Sequence, residues 1–252
     1  MRLVRLDELK HENDKEVKKM RKTTAFAMIL ILLISCPATG LADNPRQNSI
    51  FELYSAEGCY EDSVGNTESY SYHVPQIFSE EPVVKEINSE IEERFGKRVE
   101  EQFQDMKGGY SLWSWHTEWH SYWDDSMLFL LISADENGGF KDYAVYGYDF
   151  ESDSRVTNDM ILEKRGITAE FYKDNLREKA KLMFEDMNGT IPPESREEMG
   201  YYSQLEKTIS DENVAEAVLF IDGLGELEAI MKIYSLAGAD WYYHLVTPFA
   251  YG

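Results

Sequence analysis

Pairs of β-rich runs joined by short glycine turns constrain the fold of this chain more than any other feature of its sequence. The runs SMLFLLIS and KDYAVYGYDF flank an Asn-Gly step at residues 137–138, and AVLFI and ELEAIMKIY flank residues 222–225. An Asn-Gly or Asp-Gly step between β-rich runs is typical of a β-hairpin, whose two strands are antiparallel. The sequence therefore predicts a largely antiparallel sheet.

Two segments between the strands change to a helical period. In residues 80–106 a proline stands at the start, and apolar side chains recur every three or four residues: Val84, Ile87, Ile91, Phe95, Val99 and Phe103. The second segment, 168–187, begins with Thr168 at an N-cap position, and residues 188–203 are expected to be a loop. Helices between hairpin-linked strands predict an α+β fold, with two main helices packed on one face of the sheet.

The first 42 residues are expected to be an export signal that takes no part in the fold. A basic start after Met20 leads into an apolar run at 25–34 and then into small residues. The run is shorter than the roughly 20 residues that a membrane-spanning helix needs. Because Met20 begins a signal of ordinary shape, residues 1–19 are expected to be an over-called start, with a short cytoplasmic tail as the alternative.

Two alternatives remain for the processing of this signal. Gly40 and Ala42 offer a small-x-small cleavage site, whereas LISC resembles a bacterial lipobox in which Cys36 would be acylated. Either processing places the protein outside the cytoplasm, in the cell envelope or the extracellular space. Residues 43–66 are polar and are expected to be a tether, and 67–252 are expected to form a single α+β domain.

The charge balance excludes one class of partner. The chain has 47 acidic and 25 basic residues, a net charge of −22, whereas nucleic-acid binding requires clustered Lys and Arg. An acidic surface suits a cationic partner or serves solubility, and membrane association is expected only through a lipid anchor. Without Cys36, Cys59 has no partner for an internal disulfide. No phosphate loop or dinucleotide fingerprint is present, so no cofactor is predicted.

The stretch YSLWSWHTEWHSYW, residues 110–123, is the most unusual in the chain. Its composition favours a strand. A strand places all four indole rings on one face and His116, Glu118, His120 and Tyr122 on the other. The indoles either pack as core against the helix at 80–106 or form an exposed platform for sugar rings or a protein partner. The candidate binding residues are Trp113, Trp115, Trp119, Trp123 and Tyr122.

His116, Glu118 and His120 raise the question of a metal site. On a straight strand, residues four apart are about 13 Å apart, too far for two imidazoles to bind one ion. On a helix, Thr117 occupies the position where a zinc protease needs its glutamate. No metal site is therefore predicted.

Several short stretches resemble an exported domain of unknown function. That domain is shared by lysozyme-sensing anti-sigma factors and by the N-terminal module of some peptidoglycan deacetylases. SYHVPQI followed by INSEIEERF resembles its opening, in which the helix begins at Ile87-Asn88, and residues 148–162 resemble its strand–turn–apolar segment. The resemblance covers about residues 68–187, although Asp153-Ser154 stand where the family's turn carries Thr-Gly. It implies a binding or sensing module, in some members for lysozyme, without catalysis.

These observations predict a non-catalytic, extracytoplasmic binding or sensing module. Its partner would be a cationic envelope protein such as lysozyme, or a peptidoglycan fragment. The alternatives are a cell-wall hydrolase that uses paired carboxylates and a structural lipoprotein. A concave pocket that gathers Asp, Glu or His would favour the hydrolase. Acidic residues spread over an outer surface would favour binding.

Overall fold

A six-stranded sheet forms the centre of the computed structural model, which describes residues 49–108, 115–135, 140–236 and 240–249. Its strands lie side by side in chain order: β1 (Ile50–Glu61), β2 (Thr67–Ile77), β3 (Trp115–Asp124), β4 (Met127–Asp135), β5 (Lys141–Asp149) and β6 (Ser154–Arg155). Only β2 and β3 are parallel to each other, over three residue pairs. The predicted α+β class and largely antiparallel sheet are confirmed. The expected export signal, including Cys36, lies outside the described residues.

Strand β1 corrects the expectation of a tether at residues 43–66. It pairs with β2 along its whole length, from Ile50 opposite Ile77 to Glu61 opposite Thr67. Polar residues fit this position because β1 is an edge strand with one neighbouring strand and several exposed side chains. A β-bulge between Glu52 and Tyr54 shifts the register of the strand by one residue.

The helix predicted at residues 80–106 is confirmed, with one π-helical turn inside it. It consists of α1 (Pro82–Ile91), the π turn (Glu92–Gly96) and α2 (Lys97–Gly108). Its predicted apolar positions from Val84 to Val99 are buried. Gly96 lies beneath Tyr54 of β1, and a Cβ on this glycine would be 3.0 Å from the tyrosine ring. The helix therefore packs closely against the sheet at this point.

Asn88 ties α1 to the end of β2. Its Oδ1 accepts a hydrogen bond from the Ile77 amide at 2.9 Å, and its Nδ2 donates to the Ile77 carbonyl oxygen at 2.8 Å. The parallel pairing of β2 with β3 ends at Tyr72 and Thr117, so Ile77 has no strand on that side. The side-chain amide of Asn88 takes the place of the missing strand.

A second, three-stranded antiparallel sheet follows later in the chain. It contains β7 (Val218–Ile221), β8 (Leu227–Tyr234) and β9 (Trp241–Val246), in that order. The predicted hairpin at residues 222–225 is confirmed. The Asp222 carboxylate accepts hydrogen bonds from the amides of Leu224 and Glu226, both at 2.8 Å, and Gly225 has a φ of 80°.

The remaining helices are α3 (Asn158–Arg165), α4 (Ala169–Met187), α5 (Tyr201–Thr208) and α6 (Asp211–Glu216), with a 3₁₀ turn at Pro193–Ser195. Thr168 caps α4 as predicted, because its side chain accepts a hydrogen bond from the Phe171 amide. The segment 188–203, expected to be a loop, contains the 3₁₀ turn and the start of α5. No helix within the described ranges is long and apolar enough to span a membrane.

The two long helices lie on opposite sides of the six-stranded sheet, which corrects the expectation that both pack on one face. Leu128, Leu130 and Ile132 of β4 join a core with α1 and α2. The alternate residues of β4, such as Phe129, join a second core with the three-stranded sheet and α4. Because β4 is apolar on both faces, the sheet is covered on both sides.

Candidate functional site

The tryptophan stretch is a strand where the structure describes it. Trp119 lies opposite Ile132 and Trp123 opposite Leu128, and both half-buried indoles pack against the core that contains α1 and α2. Trp123 also stacks on Phe150, with ring centroids 5.4 Å apart. These two tryptophans therefore combine core packing with partial exposure.

Tyr122, another candidate binding residue, does not lie with Trp119 and Trp123. Tyr122 lies on the opposite face of β3, where its ring stacks on Phe220 at 6.1 Å and on His120 at 6.3 Å. Burial, with Asp222 and Glu228 nearby, raises its pKa. Tyr122 therefore does not share a surface with Trp119. The backbone of Trp115 belongs to β3, but its side chain and all of Trp113 lie outside the described residues.

A cluster that the sequence did not predict lies around His73 on β2. The imidazole Nδ1 is 3.0 Å from Glu52 Oε1, and Nε2 is 3.0 Å from Glu57 Oε1. Glu52 and Glu57 are five residues apart, so a regular strand would point them to opposite faces. The bulge between Glu52 and Tyr54 adds one residue, and both carboxylates reach the same imidazole.

Trp119 connects this cluster to the tryptophan strand. Its indole Nε1–H donates to Glu52 Oε1 at 3.2 Å, the same oxygen that faces His73. We call Glu52, Glu57, His73 and Trp119 the His73 cluster. The side chain of Glu57 is 71% exposed, and those of Glu52 and His73 are 33% and 26% exposed. A partner molecule can therefore reach the carboxylates without a change of fold.

Tyr54 of β1 binds a carboxylate of α2. Tyr54, next to the bulge, donates its hydroxyl hydrogen to Glu100 Oε1 at 2.9 Å. Burial, the hydrogen bond to Glu100 and the charges of Glu100 and Glu92 raise the pKa of Tyr54 to about 12. This hydrogen bond connects β1 to the neighbouring helix α2.

The row of polar residues on the other face of β3 is not arranged as a metal site. Glu118 Oε1 accepts hydrogen bonds from Lys141 Nζ at 2.6 Å and from Ser133 Oγ at 3.3 Å. The bond from Lys141 lowers the pKa of Glu118, and His120 stacks on Tyr122. Within the described ranges, no three His, Cys, Asp or Glu side chains could hold one metal ion.

A hydrolase needs paired catalytic carboxylates in a cavity, and two cavities are lined by carboxylates. The first, of about 220 Å³, is lined by Glu90 and Glu216, which are ion-paired with Arg155 and Lys232. The second, of about 350 Å³, contains one carboxylate, Asp159. Neither cavity is lined by a histidine. Burial and neighbouring acids raise the pKa of Glu228, but this residue lines neither cavity.

Comparison with known proteins adds little to this geometry. No family model matches the chain, and no curated protein matches it. A solved structure of a DUF3298 family member from Bacteroides fragilis is similar over 79% of this chain and 88% of that chain, with 10% sequence identity and a TM-score of 0.33. A TM-score this low carries no argument about fold or function. The neighbour's description names a family of unknown function and assigns no ligand or reaction.

Proposed function

We propose that this chain is a non-catalytic, extracytoplasmic binding or sensing module for a cationic protein of the cell envelope, with lysozyme as the candidate partner. The observation that carries the proposal is the His73 cluster, in which Glu52 and Glu57 converge on His73 beside the indole of Trp119. The export-like N-terminus and the resemblance to a lysozyme-sensing family support the location and the partner.

The His73 cluster suits a guanidinium or ammonium group. Carboxylates that already have fixed positions lose less conformational entropy when a cation binds. A guanidinium accepts two parallel hydrogen bonds from a carboxylate, and an adjacent indole offers its face to the same cation. The net charge of −22 would attract a basic protein from a distance and speed its association.

The geometry favours binding over the hydrolase alternative. A glycosidase needs two carboxyl groups on either side of a bound sugar, one of them with a raised pKa. The larger cavity is lined by one carboxylate, Asp159, and the two carboxylates that line the smaller cavity form ion pairs. The accessible carboxylates of the His73 cluster line neither cavity.

Titration calorimetry with lysozyme and with soluble peptidoglycan fragments tests the proposal. We expect lysozyme to bind, with an affinity that falls as salt rises. The double variant Glu52→Gln/Glu57→Gln should raise the dissociation constant by about 10-fold or more, the size expected when charge-assisted hydrogen bonds are lost. The double variant Glu197→Gln/Glu198→Gln, which removes two exposed charges far along the chain, serves as the control.

The outcomes separate the hypotheses. Equal effects of Glu52→Gln/Glu57→Gln and Glu197→Gln/Glu198→Gln would show that only net charge matters and that the His73 cluster is not the binding site. Binding of peptidoglycan fragments alone would replace the protein partner with a glycan. Release of soluble sugar from cell walls by the protein would support the hydrolase.

A further inference from the structure

Both ring nitrogens of His73 face carboxylate oxygens. Nδ1 lies 3.0 Å from Glu52 Oε1, and Nε2 lies 3.0 Å from Glu57 Oε1. A neutral imidazole carries a hydrogen on one nitrogen only, and its other nitrogen is an acceptor, as an ionised carboxylate is. An imidazolium donates from both nitrogens. The two contacts together are therefore those of a protonated His73, held as an internal cation between two carboxylates.

The register of β1 on β2 places the three side chains on one face of the sheet. Glu57 pairs with Ser71 and Glu52 pairs with Pro75, and these two residues stand two positions before and after His73 on β2. Paired residues share a face, and alternate residues of a strand point to the same side. The imidazole is thus placed between one carboxylate on either side along β1.

Other titratable side chains lie on the same face of the sheet. His116 and Glu118 of β3 belong to this face through the pairing of β2 with β3, and Cys59 of β1 belongs to it and is exposed. The Glu118 carboxylate accepts a hydrogen bond from Lys141 Nζ at 2.6 Å, so this acid is already paired with a cation. The ring nitrogens of His73 therefore bond to the carboxylates of β1 and not to that of β3.

An incoming cation and a protonated His73 compete for the same oxygens. Among the described residues, Glu57 bonds to His73, and Glu52 bonds to His73 and Trp119. A guanidinium that bonds both carboxylates takes over these acceptors, and two like charges at such short separation repel each other. Histidine is the side chain that ordinarily changes its charge between pH 5 and 8. His73 can therefore lose its proton to the solvent when the cation binds.

We propose that His73 is a built-in competitor whose protonation controls cation binding at the His73 cluster. This inference rests on the function proposed above and adds the regulation of the same site. When His73 is protonated, it neutralises one of the two carboxylate charges and occupies both carboxylates as hydrogen-bond acceptors. When His73 is neutral, both charges are open to the partner, so the affinity for a cationic protein rises with pH. Binding of one guanidinium or ammonium group releases one proton to the solvent.

Calorimetry with lysozyme at pH 5 and pH 8, on the full chain, measures this coupling. We expect the dissociation constant to be about 10-fold or more higher at pH 5, because the loss of one proton is linked to the binding of one cation. His73→Gln should remove most of this difference, since glutamine does not titrate. His120→Gln, which replaces an exposed histidine of β3 outside the cluster, should keep it. Equal pH dependence of the natural chain and His73→Gln would overturn the proposal.

Nitrogen NMR of the His73 ring tests the exchange without lysozyme and without a substitution at this position. At pH 5 both ring nitrogens should carry a hydrogen. The probe is N-acetyl-argininamide, which offers one guanidinium and no other charge. Its addition at about pH 6.5, the ordinary midpoint for a histidine, should raise the neutral fraction of His73.

The two experiments separate this inference from the function on which it rests. A His73 ring whose protonation is unchanged by the probe would overturn the inference, even if His73→Gln fails to fold. Absence of lysozyme binding at both pH values, with the probe still removing the proton from His73, would refute the lysozyme partner and support the competition between His73 and a bound cation.

Discussion

Replacing Asn88 by alanine removes the side chain that pairs with the end of β2, on the side where the pairing with β3 has already ended. Asn88 makes two hydrogen bonds to the backbone of Ile77, at 2.9 and 2.8 Å, and Ile77 is 1% exposed. The variant loses both bonds and leaves an amide and a carbonyl unpaired at a buried position. Each unpaired group costs about 1–3 kcal/mol, so we expect the free energy of unfolding to fall by about 2–6 kcal/mol.

Thermal and urea unfolding followed by circular dichroism would measure this loss. For a chain of this size, each kcal/mol lowers Tm by about 2–4 °C, which gives a decrease of about 4–24 °C. Asn175→Ala is the matched control, because Asn175 is bonded only to the Phe171 carbonyl within its own helix, and it should change stability by less than about 0.5 kcal/mol. If Asn88→Ala is no more destabilising than Asn175→Ala, the Asn88 side chain does not replace a strand.

Three further substitutions test local features. Burial, opposed by a hydrogen bond from Thr247, raises the pKa of Glu228 above its ordinary value of 4.5. Its charge therefore costs stability above the raised pKa, so Glu228→Gln should raise Tm at pH 7 but not at pH 4. Gly225→Ala should cost about 1–2 kcal/mol in urea unfolding, because the φ of 80° disfavours a Cβ although nothing lies within 4 Å of it. Thr168→Ala should cost about 1 kcal/mol in the same assay by removing the cap on the Phe171 amide.

The parts of the fold that follow from local pattern were predictable. The helix at residues 80–106 follows from apolar residues at helical spacing, and the hairpin at 222–225 follows from its Asp-Gly turn. β4 carried a further signal in the run MLFLLI, because a continuous apolar strand is typical of a sheet buried on both faces. That run could have predicted that the two long helices lie on opposite sides.

The candidate site could not be found from the sequence for two physical reasons. β1 has a polar composition because it is an edge strand, and composition alone does not separate an edge strand from a tether. The approach of Glu52 and Glu57 to His73 depends on a bulge, which changes the parity of the strand without a glycine or proline to mark it. The faces of β3 were predictable by alternation, whereas the contact between Trp119 and Glu52 depends on tertiary structure.

Quenching of tryptophan fluorescence by acrylamide, with and without lysozyme, shows whether lysozyme binds at the His73 cluster. The comparison is between the natural chain, which has five tryptophans, and Trp119→Phe. Trp119 is the indole of the His73 cluster and donates a hydrogen bond to Glu52. We predict that lysozyme shields part of the fluorescence of the natural chain and that Trp119→Phe loses this shielded part. Equal shielding in both proteins, or none in either, would contradict the assignment of the His73 cluster as the binding site.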